Sequence, residues 1–552
     1  MKKLFPQIVI TLLLFCSIVA SSQQTIGLIQ HDPGGFDDGY VLFAPMSYKK
    51  TYLIDKCGKE IHSWPSAYRP GLAVYLLEDG NLLRTGCVND SLFTGGGTGG
   101  IIEKIDWNGT VLWSYRISDQ STQCQHHDIQ ALPNGNVLAI VWELKTRAEA
   151  IAAGRDTTLL GQNVWSEKIV ELQPVGFDSA NIVWEWHIWD HLVQDHDSTK
   201  ANFGVVASNP RLMNINFRAT ASSSDWLHFN SIDYNPDLDQ ILITIHNFGE
   251  IFIIDHSTTT AEAASHSGGY SNRGGDLLYR WGNAASYNSG TTLDTKLWGP
   301  HNAQWIVDGC PDAGKILIFN NRHPLASFNY SSVEIIDPPV NSAGAYVSPL
   351  PYLPDSSLWS YWDSVPGNFN ATFISGAQEL SNGNVLICNG PIGHFFEVEH
   401  SKNKVWEYIN PVKSNGPMTQ GNPNPNSNSV FRCTFYPTNY SGFNNHILTP
   451  GLPIELNPYP YTCILDITTG VNEMNIEENE ISIYPNPAND QLSIVLNEKI
   501  KIKNIELINS LGQTILTTQN TLIDLSEITA GLYLVKITTT NGDKITTRVI
   551  KN

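Results

Sequence analysis

The chain has 552 residues, including 43 Gly, 30 Pro, 15 Trp and 21 Tyr, and only 16% of it is charged. That turn-rich, aromatic-rich composition fits an all-β secreted protein and excludes a coiled coil or a disordered chain. Net charge is −20 with no long basic run, which argues against nucleic acid as a partner.

Residues 1–22 read as a signal peptide. Lys2 and Lys3 supply the positive start, residues 8–20 are apolar apart from Thr11 and Ser17, and Ala20-Ser21-Ser22 offers small residues for cleavage. The run is shorter than the roughly 20 apolar residues of a spanning helix, so the mature chain is expected to lack a transmembrane segment. Phe15, just before Cys16, argues against lipid attachment there. Seven cysteines follow: Cys57, Cys87, Cys124, Cys310, Cys388, Cys433 and Cys463, with no CxxC among them. The odd count leaves at least one unpaired within the chain. One or two disulfides and a reduced, buried set are both compatible with it.

Residues 23–471 repeat. The hairpins VYLLEDGNLLRTG (74–86), HHDIQALPNGNVLAIV (126–141) and GAQELSNGNVLICNG (376–390) share a strand, a tight Asp-Gly or Asn-Gly turn and a second apolar strand. Looser copies are HFNSIDYNPDLDQILITIHN (228–247) and HNAQWIVDGCPDAGKILIFNN (301–321). Most are followed by a second hairpin ending on a Trp-bearing strand, as in IIEKIDWNGTVLWSYRI (101–117). Four strands per unit predict an all-β, six-bladed β-propeller. Its sixth blade would combine residues 430–437 and 461–467 with an N-terminal strand. The surplus length falls in loops such as 187–225 and 256–276.

The first strand of several hairpins starts on polar residues where a propeller's innermost strand faces the central channel: His126-His127-Asp128, Trp226-Leu227-His228, His301-Asn302 and Arg432. His246 and Arg322 stand at the ends of second strands. Several imidazoles and one or two guanidiniums are expected to share a pocket. Trp226, Phe229, Trp298 and Trp305 are aromatics expected near the same funnel. Two other stretches are read as structural. In 184–197, His187 and His191 would suit zinc only if helical, and a capping loop is preferred; neither a metal nor a cofactor is expected. The run Gly95–Gly100 lacks the Lys-Ser/Thr of a phosphate loop and is read as a flexible loop.

Residues 472–480 are acidic and read as a linker. Residues 481–552 are short alternating strands with turns, the pattern of a small β-sandwich. Tyr484-Pro485-Asn486-Pro487-Ala488, Gly512-Gln513 and Gly531-Leu532-Tyr533 resemble the C-terminal sorting domain of the type IX secretion system. That resemblance implies the type IX machinery as a partner and export to the cell surface or medium.

HHDIQALPNGN, DWLHFNSIDY, LLYRWGN and PHNAQW followed by ILIFNN resemble the aryl-sulfate sulfotransferases over about residues 30–465. The resemblance implies a six-bladed propeller that moves a sulfuryl group from a phenolic sulfate donor to a phenol acceptor through a sulfated histidine, without a nucleotide. It implies His301 as nucleophile, with His228 and one of the pair His126-His127, His127 favoured, beside it; the expected catalytic set is His301, His228, His127 and His246, and His126, Arg322, Arg432, Asn302 and Trp226 are expected to bind substrate. His246 stands where the family carries an arginine: either it is held protonated, or Arg322 or Arg432 substitutes, or the activity is weakened. The competing readings are a non-catalytic secreted propeller binding a glycan or protein, and a sulfatase-like hydrolase.

Overall fold

The computed structural model describes residues 24–323, 330–342, 344–346, 349–365, 367–422, 425–463, 465, 481–496, 501–509, 513–539 and 544–552. The expected signal peptide and the linker 472–480 lie outside the described residues. The chain divides into two compact units, residues 1–466 and 467–552.

In the first unit, six antiparallel sheets hold four or five strands each among the described residues. They begin at Pro70–Leu76, Gln123–Ala131, Phe229–Asn235, His301–Trp305, Gly376–Glu379 and Val430–Pro437. These six first strands touch one another in succession, and Val430–Pro437 returns to Pro70–Leu76, so they close a ring. Both ends of the unit complete sheets. Gly27–His31 adds a fifth strand outside Lys404–Ile409. Val430–Pro437 pairs with Gly39–Pro45, which is followed by Lys50–Asp55 and Glu60–Pro65. These N-terminal strands fill the place expected for residues 461–467. Residues 461–463 form no strand; instead Cys463 is disulfide-bonded to Cys57, and the Tyr461 hydroxyl donates to the Cys57 carbonyl at 2.6 Å. A bond spanning 406 residues stabilises mainly by restricting the unfolded chain.

The repeat is legible in individual hydrogen bonds. Gly80, Gly135 and Gly383 take φ of +80°, +85° and +84° in the first turns of their sheets, a conformation that costs glycine little. Their amides donate to Leu77, Leu132 and Leu380. The side chains of Asp79, Asn134 and Asn382 accept from the amide two residues on, which closes an Asx turn.

A second repeat links the sheets. The fourth strand of each, counted from the centre of the ring, carries a buried tryptophan: Trp64, Trp113, Trp186, Trp281, Trp359 and Trp406. Each indole N–H donates to a backbone carbonyl of the following sheet or the loop leading into it, at Asp106, Ser179, Gly275, Pro354, His400 and Lys56. The sixth bond, to Lys56, returns to the sheet that holds Trp64 and completes the circuit. Each ring fills the seam between sheets while its one polar atom is satisfied. The same last seam buries an ion pair between Lys56 and Glu397.

The second unit has a three-stranded sheet, with Gln491–Leu496 at its centre, and a four-stranded sheet built around Ile502–Asn509 and Gly531–Thr539. Leu492, Ile494 and Ile523 of the first share one apolar cluster with Ile505, Leu507, Val535 and Ile537 of the second.

Candidate active site

Where the inner strands begin, the backbone departs from regular pairing. Register shifts fall between Ala139 and Val141, between Phe229 and Ser231, and between His301 and Gln304. His127, His228 and Asn302 have φ of +52°, +59° and +48°. Bulges of this kind re-aim side chains, and here they turn imidazoles of three successive strands toward the centre of the ring.

Four rings form a continuous arc. Centroids are 4.6 Å apart between His127 and His228, 5.2 Å between His228 and His246, and 5.4 Å between His246 and His301. The other three inner strands contribute a different surface. Leu72, Ile374 and Phe431, with Met46 packed against them, form a separate apolar cluster, and Phe431 lies 6.1 Å from His127. The centre of the ring is therefore half imidazole and half hydrocarbon.

The partners of these imidazoles fix their protons. Asn321 donates its amide N–H groups to the Ala371 and Ile374 carbonyls, so the oxygen facing His301 at 2.7 Å can only accept. His301 Nδ1 carries the hydrogen, and Nε2 keeps its lone pair. Asn247 repeats the device: it donates to the Asp225 and Trp226 carbonyls and accepts from His246 Nδ1 at 2.8 Å. His228 Nδ1 meets Asp225 Oδ2 at 2.6 Å. Burial holds His301 well below the usual imidazole range and lowers His246 to about 4. His246 is thus neutral near pH 7 and does not supply the charge of the family's arginine.

His127 is served by a relay. Its Nδ1 is 2.9 Å from His126 Nδ1, and His126 Nε2 is 2.8 Å from Glu167 Oε2. Burial pushes the Glu167 carboxyl well up and both imidazoles well down. The neutral arrangement that satisfies every contact has Glu167 donating to His126 and His126 donating to His127. His127 Nε2 then carries a hydrogen without carrying a charge. His126 is stacked on Trp142, with centroids 3.8 Å apart, so it works behind the arc.

The glycine-rich run covers this corner and is not a free loop. The His127 amide donates to the Gly97 carbonyl at 2.8 Å. A Cβ on Gly97 would lie 2.0 Å from the His127 ring.

The other expected site residues lie elsewhere. Arg432 is buried and bound to Asp128 at 2.9 Å and the Tyr75 hydroxyl at 2.8 Å, because its neighbour Phe431 takes the position facing the histidines. The Asn302 side chain accepts from the Ala377 amide and Gln304. Trp226, Phe229 and Trp305 sit in the hydrophobic core. Trp298 stays half-buried, with the Arg218 guanidinium 5.5 Å from its ring. Arg322 is exposed and close enough to depress the His246 pKa further. Sequence reading missed Asp225, Asn247, Asn321, Glu167 and Arg218. The polar residues just after His246 and at the end of ILIFNN were the available signals for the two asparagines.

The family model for arylsulfotransferase (ASST) matches residues 47–337, and that for the secretion system C-terminal sorting domain matches residues 482–552. No curated protein matches the chain. Similar solved structures include a protein of unknown function from Bacteroides caccae, at 12% identity and TM-score 0.36, over 68% of this chain and 94% of that one. Kuenenia stuttgartiensis hydrazine synthase matches at 11% and 0.32, over 67% and 78%. Virginiamycin B lyase from Staphylococcus aureus matches at 12% and 0.31, over 71% and 87%. No helix among the described residues is long and apolar enough to cross a membrane. The chain belongs to the arylsulfotransferase family and carries a type IX sorting domain, which directs it to the cell surface or the medium.

Proposed function

We propose that the protein is an aryl-sulfate sulfotransferase, with the six sheets as blades of a propeller, the second unit as a β-sandwich and the histidine arc as its active site. The observation that carries the reading is the arc itself: His301 presents an unprotonated Nε2 beside imidazoles that can donate, accept and exchange a proton.

His301 Nε2 attacks the sulfur of the donor, the bond from sulfur to the phenolic oxygen breaks, and a sulfohistidine remains. His228 Nε2 gives the departing oxygen its proton. In the second half a phenol returns a proton to His228, and its oxygen takes the sulfuryl group from His301. The proton count over the cycle is zero. Asp225 steadies the His228 imidazolium, as a buried carboxylate does for a catalytic histidine. His127 Nε2–H donates to a sulfuryl oxygen, and His246 lines the same anion. Arg218 and Arg322 at the rim take the part of the family's arginine in drawing in the sulfate. The apolar half made by Met46, Leu72, Ile374 and Phe431 receives the aryl ring, in place of the tryptophans now in the core.

The test is release of 4-nitrophenol from 4-nitrophenyl sulfate with and without added phenol. Phenol-dependent release, reduced at least about 1,000-fold in His301→Ala, is the expected outcome. Release indifferent to phenol would assign a hydrolase, and no release from folded protein would assign a binding module.

A further inference from the structure

We propose that His191, His266 and Asp276 form a zinc site that pins together the two long loops outside the sheets that begin at Gln123–Ala131 and Phe229–Asn235. The three residues come from separate places. His191 follows the short helix Ile188–Asp190, His266 follows Thr260–Ala263, and Asp276 precedes the strand Tyr279–Trp281. Their ligand atoms lie within 4.8 Å of one another. The Nδ1 atoms of His191 and His266 stand 2.8 Å and 2.7 Å from the same Asp276 oxygen, Oδ1.

The contacts of His191 call for positive charge. Its Nε2 is 2.8 Å from the Ala263 carbonyl. A carbonyl only accepts, so Nε2 carries a hydrogen. The Nδ1 contact with the carboxylate then needs a positive centre, which a second ring proton or a metal ion supplies. A histidine that donates one ring N–H to a backbone carbonyl while aiming the other nitrogen at a shared point is the usual arrangement of a metal ligand.

The surroundings hold that aim. The His191 ring is buried and parallel to Trp186, whose indole N–H is fixed by the Gly275 carbonyl. A Cβ on Gly275 would fall 2.0 Å from the Ala263 carbonyl oxygen and 2.5 Å from His191 Nε2. His266, by contrast, has 63% of its side chain exposed, so the fourth position is open to water. Two imidazoles, one carboxylate and a water form a nitrogen–oxygen set that suits zinc better than calcium or magnesium. Ligands about 2.0–2.1 Å from zinc stand roughly 3.3 Å apart, so the two contacts must open by about half an ångström. His187, another histidine of the 184–197 stretch, takes no part. It pairs with Glu143 and Glu185 on its own sheet.

The full secreted chain, stripped with a chelator and then given zinc chloride, provides the test, with zinc content and melting temperature as readouts. Wild type is expected to retain about one zinc per chain that His266→Ala and Asp276→Asn do not. Its melting temperature is expected to rise by about 2 °C or more on zinc addition, a rise lost in His266→Ala. Cobalt(II) in its place is expected to give tetrahedral visible absorption. His266 is exposed, so that variant folds. Equal zinc content in wild type and His266→Ala would place any bound metal elsewhere, for example on the histidine arc, and overturn the proposal. So would a wild type that retains none.

Discussion

The two ends of the inner strands make an instructive contrast. At their starts lies the histidine arc. Toward their far ends lies a cavity of about 1040 Å³, lined by Tyr75, Gln130, Asp233, Gln304, Gln378 and Arg432 among others. Volume alone would favour the far end. There Arg432 Nη1 is bound to Asp128 and the Tyr75 hydroxyl while its Nε and Nη2 have no hydrogen-bond partner among the described residues, and Asp233 accepts from the backbone amides of Trp305 and Tyr234. Burial also lifts Asp233 to about 7. At the arc, structural partners hold one nitrogen of each imidazole and leave the other uncommitted. In the proposed reading the arc is marked out by how its polar atoms are left.

The largest test of that contrast replaces one aspartate at each end. Asp225→Asn loses the carboxylate that steadies a protonated His228. We expect kcat to fall about 100- to 10,000-fold with melting temperature little changed. Asp128→Asn leaves Arg432 buried with half its partnership. Stability is expected to fall by about 3 kcal/mol or more, with kcat per folded molecule within about threefold of wild type. Chemical denaturation and steady-state kinetics on both variants would check this. A reversed pattern would mean that the far end is the reactive one.

A smaller effect comes from two glycines with the same backbone. Gly97 and Gly135 have φ of +88° and +85°, so alanine carries a similar conformational cost at each, about 1 kcal/mol. Only at Gly97 does the new methyl meet an imidazole; at Gly135 there is nothing within 4 Å. Gly97→Ala is therefore expected to cut kcat/KM about tenfold or more by displacing His127. Gly135→Ala should lose stability alone. Equal activity in the two variants would remove His127 from the mechanism.

Much of this was legible in the sequence because it repeats. Hairpins with Asn-Gly turns, and a tryptophan closing each unit, recur often enough to reveal the sheets. The recurrence of histidine at strand starts likewise located His127, His228 and His301, and the end of a second strand located His246. Arg432 was misplaced for a physical reason. In a strand, a shift of one residue reverses the direction of every side chain, and the irregular pairing at the strand starts is such a shift. Phe431 took the inward place. Glu167 was invisible because it belongs to the third strand of its sheet and reaches the arc only through His126. The N-terminal strands were seen but not both assigned, since which segment closes a ring depends on contacts some 400 residues apart in sequence, such as Cys57 with Cys463.

The smallest expected change concerns Glu167, and it decides how His127 acts. In the relay, Glu167 is protonated and donates, which leaves a hydrogen on His127 Nε2. Glutamine preserves that direction, because its amide N–H₂ also donates to His126, while its oxygen still accepts from the Phe229 amide as Glu167 does at 2.9 Å. Glu167→Gln is therefore expected to keep kcat within about threefold near neutral pH. The two proteins should separate as pH rises. Burial raises the wild-type carboxyl, so the donating form prevails below its folded pKa. Above that value the proton leaves, the relay reverses, and His127 presents a lone pair to the sulfuryl oxygens. Wild type should show an alkaline fall in kcat that Glu167→Gln lacks. If glutamine instead abolishes transfer at neutral pH, the carboxylate form is the working one, and His127 acts as an acceptor.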